Sequence, residues 1–123
     1  MAQLPHEEAH METRLTHAIK YVGDMDQAVA FHRDVLGLQL KFASPFWSEF
    51  ATGETTLALH AASPDHTPGG VQLGFGADSL ANFYARRDEL GLEFTQPPTE
   101  MHGMHIARFR DADGAETSVS GPM

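Results

Sequence analysis

One order of elements occurs twice in this chain, and that duplication constrains its fold more than any other feature. Arg14 to Leu38 reads RLTHAIKYVGDMDQAVAFHRDVLGL: a short alternating run, a helix-start signal, an amphipathic stretch, then Leu-Gly-Leu. Val71 to Phe94, VQLGFGADSLANFYARRDELGLEF, repeats the order, with Asp26 matched by Asp78, Phe31 by Phe83, and Leu36-Gly37-Leu38 by Leu90-Gly91-Leu92. The offset is 78 − 26 = 52 at the helix starts and 90 − 36 = 54 at the helix ends, a two-residue slip. Self-similarity of this kind marks a repeated supersecondary unit, and the place where two such units meet is a natural ligand cavity.

Each unit reads as β-α-β-β-β. In the first, Leu15 to Val22 alternates and puts His17, Ile19 and Tyr21 on one face of a strand. Asp24 followed by Gln27 has the spacing of a capping box, and Ala28, Phe31, His32, Val35 and Leu36 then fall on one helical stripe that Gly37 closes. Leu38 to Phe42, Trp47 to Ala51 and Thr56 to His60 follow as strands, punctuated by Ser44-Pro45 and Thr52-Gly53. In the second, Val71 to Phe75 is a strand, and Asp78 caps a helix carrying Phe83, Tyr84, Arg87 and Leu90 toward Gly91. Leu92 to Thr95, a loop through Pro97-Pro98, a strand from His105 to Arg110, a turn at Asp111 to Gly114 and a last strand from Glu116 to Ser120 complete it. Ala62 to Gly70, rich in Pro, Gly, Ser and Asp, has the composition of a connector. The expected organisation is a polar lead-in over residues 1–13 and a single domain over 14–123. Within that domain, module one spans 14–61, the linker 62–70 and module two 71–121.

A chain of 123 residues suffices for one hydrophobic core and needs no second domain. Eight Lys and Arg against 17 Asp and Glu give a net charge of -9, which argues against nucleic acid or an anionic membrane as partner. The absence of cysteine excludes a disulfide framework, a thiolate nucleophile and a Cys-type metal site. No segment reaches the roughly 18 apolar residues of a membrane span, and MAQLPHEEAHMET lacks the apolar core of a secretory signal, so a cytoplasmic location is expected.

Several side chains are suited to a ligand cavity. Phe42, Phe46, Trp47, Phe50, Phe75 and Phe109 could wall a pocket for a flat organic molecule, with Trp47, beside the Ser44-Pro45 break, the foremost candidate, while Phe50 and Phe109, each midway along a strand before a turn, look equivalent and also read as packing. Glu49 shares a strand face with Trp47, where an inward carboxylate would act as a general base or hold a buried cation. His32 lies in the helical stripe and reads as packing. His102 and His105, in MHGMH, have no helix around them and suit a lip over the cavity, with Met101 and Met104 as adaptable apolar contacts. No nucleotide-binding glycine loop, nucleophile elbow or zincin motif is present.

The element order, Gly23-Asp24 before the helix, Ala30-Phe31 within it, Asp34-Val35-Leu36-Gly37-Leu38 after it and Asp111-Ala112-Asp113-Gly114 near the end together resemble the vicinal oxygen chelate superfamily. This is the group of glyoxalase I, bleomycin resistance proteins, fosfomycin-modifying enzymes and extradiol dioxygenases. The resemblance spans about Arg14 to Gly121 and implies an α+β fold in which two βαβββ modules form a cupped mixed sheet, usually completed in a homodimer. It does not imply a reaction.

In metal-using members, four inward strand positions supply His, Glu or Gln ligands to one divalent ion. Carried over residue by residue, those positions are His17, Ala58, Gln72 and Ser118: one good ligand and one weak one. The resemblance therefore implies a binding protein of the bleomycin resistance type, its ligand held by His17, Trp47, Phe42, Phe50, Gln72 and Ser118. The alternative is a divalent-metal-dependent lyase, isomerase or dioxygenase. A register step in two strands would replace Ala58 by His60 and Ser118 by Glu116, so that His17, His60, Glu116 and Gln72 hold the metal ion and Glu49 serves as base.

Overall fold

Strand β1 (Thr13–Val22) runs in the middle of one eight-stranded sheet, parallel to β4 (Thr56–Ala61) on one side and antiparallel to β5 (Val71–Ala77) on the other. The structure, a computed structural model, describes residues 11–123. Beyond β4 lie β3 (Trp47–Ala51) and β2 (Gln39–Phe42); beyond β5 lie β8 (Glu116–Ser120), β7 (Met104–Arg110) and β6 (Phe94–Met101), giving the order β2-β3-β4-β1-β5-β8-β7-β6. Each half repeats the same wiring, its first strand parallel to its last, and the β1–β5 pairing joins the halves within one chain. The result is the expected α+β fold of two βαβββ modules on an open, curled sheet.

The strands' period of two divides the sheet into a helix-covered face and an open inner face. On the covered side, Val22, Phe50 and Leu59 pack on Val29 of α1 (Met25–Ala30), while Ala77, Ala107 and Val119 pack on Leu80 and Phe83 of α2 (Leu80–Ala85). Full burial of a side chain such as Phe50, Leu59 or Leu80 contributes roughly 1.5–3 kcal/mol each. A third group, Ile19, Tyr21 and Ala58 with Trp47 against it, lies on the inner face.

Three local expectations are corrected. The first helix does not bury one stripe through Leu36. After Ala30 it widens into a π-helical turn, Phe31–Val35, with Leu36 N–H donating to Phe31 O at 3.1 Å. The extra residue rotates the stripe, so Val29 and His32 are buried while Phe31, Val35 and Leu36 are exposed. The second helix is capped by Ser79, whose hydroxyl accepts from Asn82 N–H at 3.1 Å, and not by Asp78, which lies one residue outside and 3.5 Å from Arg14. It breaks at Arg86 and resumes as the single turn α3 (Arg87–Leu90). Finally, Pro97 and Pro98 lie inside β6 and not in a loop. β6 is an edge strand, so a missing N–H there leaves no partner unsatisfied.

Other signals correspond directly to structure. Asp24 accepts from Gln27 N–H at 3.0 Å, and the two helix-ending glycines, Gly37 and Gly91, have φ of 72° and 71°, the left-handed conformation that favours glycine.

Candidate functional site

The inner face is ordered by strand register. One row across five strands reads Thr56, His17, Gly74, Ser118 and Arg108; the next reads Glu49, Ala58, Ile19 and Gln72, and a third brings Trp47, His60 and Tyr21 side by side. The middle of the first row carries only small residues, Gly74 and Ser118. A Cβ placed on Gly74 would lie 3.1 Å from Ser118 Oγ and 3.3 Å from His17 Cβ, so Gly74 and Ser118 form a low floor with taller side chains at either end.

Glu49 anchors the polar group of module one. Its Oε2 accepts from the Trp47 indole N–H at 2.8 Å and lies 3.9 Å from His17 Nε2, while Lys41 Nζ stands 3.3 Å from Oε1. The side chain is only 16% exposed. Ala58 is what allows the reach from β3 to β1, because a larger residue at that intervening position would stand between the carboxylate and the imidazole. His17 Nδ1 is 3.0 Å from Thr16 Oγ1, which leaves Nε2 as the nitrogen presented to Glu49. A carboxylate held by two donors beside an imidazole can take up or deliver a proton, and it lies beside the aromatic wall of Trp47.

A second polar group lies where the two modules meet. The Tyr21 hydroxyl donates to Gln72 Oε1 at 2.5 Å, with both residues buried. Burial raises the Tyr21 phenol above its ordinary pKa, against the opposing pull of the Arg108 charge and with a small addition from Glu116. His66, from the connector between β4 and β5, stacks on Tyr21 with ring centroids 4.4 Å apart and lies 3.6 Å from Glu116 Oε1, whose other oxygen accepts from Thr95 at 2.8 Å. His60 packs edge-on against Trp47, and its Nδ1 donates to Ala61 O at 2.7 Å.

Of the residues the sequence nominated as ligand contacts, His17, Trp47, Gln72 and Ser118 share the inner face. Phe50 does not, and that expectation is corrected: it is 0% exposed in the helix-side core, because its neighbours Glu49 and Ala51 take the inner face of the same strand. Phe42 is exposed on β2, where a bulge sets it opposite Glu49. His102 and Gly103 form the tight β6–β7 hairpin turn, both with positive φ, of 54° and 81°.

The inner positions of a family metal site carry an imidazole, a methyl, an amide oxygen already hydrogen-bonded to Tyr21 and a hydroxyl. That donor set does not fit the three or more protein ligands a divalent ion ordinarily requires. The shifted set is not assembled either. His17 stands opposite Thr56 and His60 opposite Tyr21, four residues or roughly 13 Å along the strands, and Glu116 lies three strand spacings from His60. No group of three His, Asp or Glu placed to hold an ion occurs among the described residues.

Sequence reasoning passed over Arg108, Lys41 and His66. Arg108 was readable as an inward residue, since HIARFR alternates and Ser118 marks its row, whereas the reach of Lys41 and His66 depends on a bulge and a loop path with no local pattern. Outside the inner face, an apolar hollow of about 280 Å³ lined by Leu73, Phe75, Phe83 and Phe109 lies on the helix side. Its polar lining is Thr13, Asp111 and Thr117.

Comparison with known proteins agrees with this architecture. Methylmalonyl-CoA epimerase from Mycobacterium tuberculosis superposes with a TM-score of 0.72 at 18% identity, covering 89% of this chain and 87% of that one. A Streptomyces coelicolor methylmalonyl-CoA epimerase variant in complex with 2-nitronate-propionyl-CoA gives 0.75 at 17% identity, covering 91% and 96%. A glyoxalase/bleomycin resistance protein/dioxygenase superfamily member from Vibrio splendidus 12B01 gives 0.64 at 16% identity, covering 89% and 98%. At these identities the likeness shows the fold alone. A search of curated protein sequences finds no match. The model of one family does match, over residues 14–119, and with the duplicated βαβββ modules it identifies this chain as a member of the Glyoxalase/Bleomycin resistance protein/Dioxygenase superfamily.

Proposed function

We propose that this protein binds a small organic molecule on the inner face of its sheet without a protein-held divalent metal, as bleomycin resistance-type members of the superfamily do. The observation that carries this reading is the composition of the four inward positions, His17, Ala58, Gln72 and Ser118, in a site still furnished with Trp47, Tyr21 and Glu49. The test is metal analysis of the untagged protein and of His17→Ala, using a shortened protein that begins at Met11 so that His6 and His10 cannot scavenge ions. Stoichiometric metal that disappears in the variant overturns the proposal.

A second reading, general acid–base isomerase or lyase chemistry, is favoured by one specific feature: Glu49, held by Trp47 and Lys41 beside His17, has the geometry of a proton-transfer group. Under it, Glu49→Gln abolishes turnover and solvent-deuterium exchange while leaving ligand affinity largely intact. The protein is further proposed to act as a homodimer. Light scattering should give twice the 13.5 kDa chain mass, and a monomer at micromolar concentration removes that proposal.

A further inference from the structure

Among the described residues, Arg108 is a cation without an ion-pair partner. It projects from β7 onto the inner face, and its Nε is buried with no hydrogen-bond partner among the described residues. None of the ion pairs among those residues includes it, although the chain carries 17 carboxylates against 8 Lys and Arg. Glu116, one row away on β8, is engaged by Thr95 and His66. A buried guanidinium N–H left unpaired is costly, and folded proteins supply a partner for such groups. Among the described residues the inner face supplies none, which leaves solvent or a bound ligand to supply it.

The surroundings indicate what that partner is. Between Arg108 and His17 the row contains only Ser118 and Gly74, three strand spacings or roughly 14 Å measured along a flat sheet and less across a curled one. Arg108, Ser118 and His17 are each partly exposed along this row with the buried Gly74 between them, so a small molecule lying across it meets their side chains, the Ser118 hydroxyl being available as a second donor. One guanidinium in a protein of net charge -9 favours a single negative charge over a dianion. Its planar fork matches the two oxygens of a carboxylate.

We propose that the inner face binds a monoanionic organic carboxylate, its charged end on Arg108 and Ser118 and its body over Gly74 toward His17 and Glu49. This rests on the reading of the inner face as the ligand site, and it adds the charge of the ligand and the direction in which it lies. Under the acid–base reading, it sets the carbon skeleton of the ligand, and not its carboxylate, next to Glu49.

The test uses the full-length protein and calorimetric titration with benzoate, phenylacetate and 3-phenylpropanoate, alongside the amides of the same three skeletons. Quenching of Trp47, the single tryptophan, provides an independent readout. The expected result is saturable binding of at least one acid, with its amide weaker by roughly ten- to a hundredfold, as loss of a charge-assisted hydrogen bond predicts. Arg108→Gln should weaken the acid by a similar factor and the amide far less, because a neutral amide loses only an ordinary hydrogen bond, and Arg108→Lys should recover only part of the loss. A near-UV circular dichroism spectrum matching that of the parent shows that the variants are folded. Equal affinity for acid and amide, or an Arg108→Gln protein that binds the acid as well as the parent does, overturns the anion proposal and leaves the ligand site standing. Failure of all acids and amides to bind overturns both.

Discussion

The indole N–H of Trp47 is donated to Glu49 two residues further along the same strand, at 2.8 Å. Both side chains point to the inner face because strand periodicity puts i and i+2 together, so a single short segment supplies an aromatic wall and an oriented carboxylate. Trp47→Phe keeps the ring and removes the donor. It should lower stability by roughly 1–2 kcal/mol, the scale of a hydrogen bond to a charged group that retains a second partner. The urea unfolding midpoint measures this, and an unchanged midpoint would show that the bond is replaced by water.

Gly74 leaves no room for a side chain on the floor of the site. Gly74→Val places a side chain against Ser118 Oγ and His17 Cβ, which already lie 3.1 and 3.3 Å from the position of a Cβ. Destabilisation of roughly 1–3 kcal/mol is expected from overpacking. Any ligand that crosses the row should lose affinity more steeply in Gly74→Val than in Ser118→Ala. Equal losses in titration would mean that the ligand does not pass over this strand.

Phe50 and Phe42 differ in kind although both are candidates, by sequence, for the wall of a pocket. Phe50→Ala should cost roughly 3–5 kcal/mol, because a fully buried aromatic leaves a cavity. Phe42→Ala, at an exposed position, should change stability by no more than about 0.5 kcal/mol. Chemical denaturation of the two variants separates core from surface directly.

The phenol of Tyr21 is raised above its usual value, chiefly by burial. The folded state therefore holds this proton at a pH where the unfolded chain, titrating near about 10, has released it. Stability contributed by the protonated phenol is fully present below the unfolded value and falls as pH rises through the interval between the two. The chain has two tyrosines, so Tyr84→Phe leaves Tyr21 alone for an absorbance titration. Its midpoint should lie above that of the urea-unfolded variant, and coincident midpoints would contradict the burial argument.

Legibility in the sequence followed locality. His17, Ile19 and Tyr21 on one face of β1, the Asp24 cap, and the glycines that end each helix all depend on neighbours within four residues, and all were readable. Errors arose where a single residue shifted a frame. The π-turn after Ala30 exposed Phe31, Val35 and Leu36, and the cap moved from Asp78 to Ser79. Pro97 and Pro98 depart from expectation for a different reason, since only sheet order makes β6 an edge that tolerates them.

By itself the sequence determined the modules, because a doubled pattern of periodicities, caps and turn glycines is local chemistry repeated. Tertiary structure alone decided which side chains meet. Glu49 reaches His17 past Ala58, His66 stacks on Tyr21 from a connector loop, and Arg108 is left without a partner on the inner face. Each of these depends on pairing between strands distant in the chain, and in a sheet one residue of register exchanges the inner face for the core.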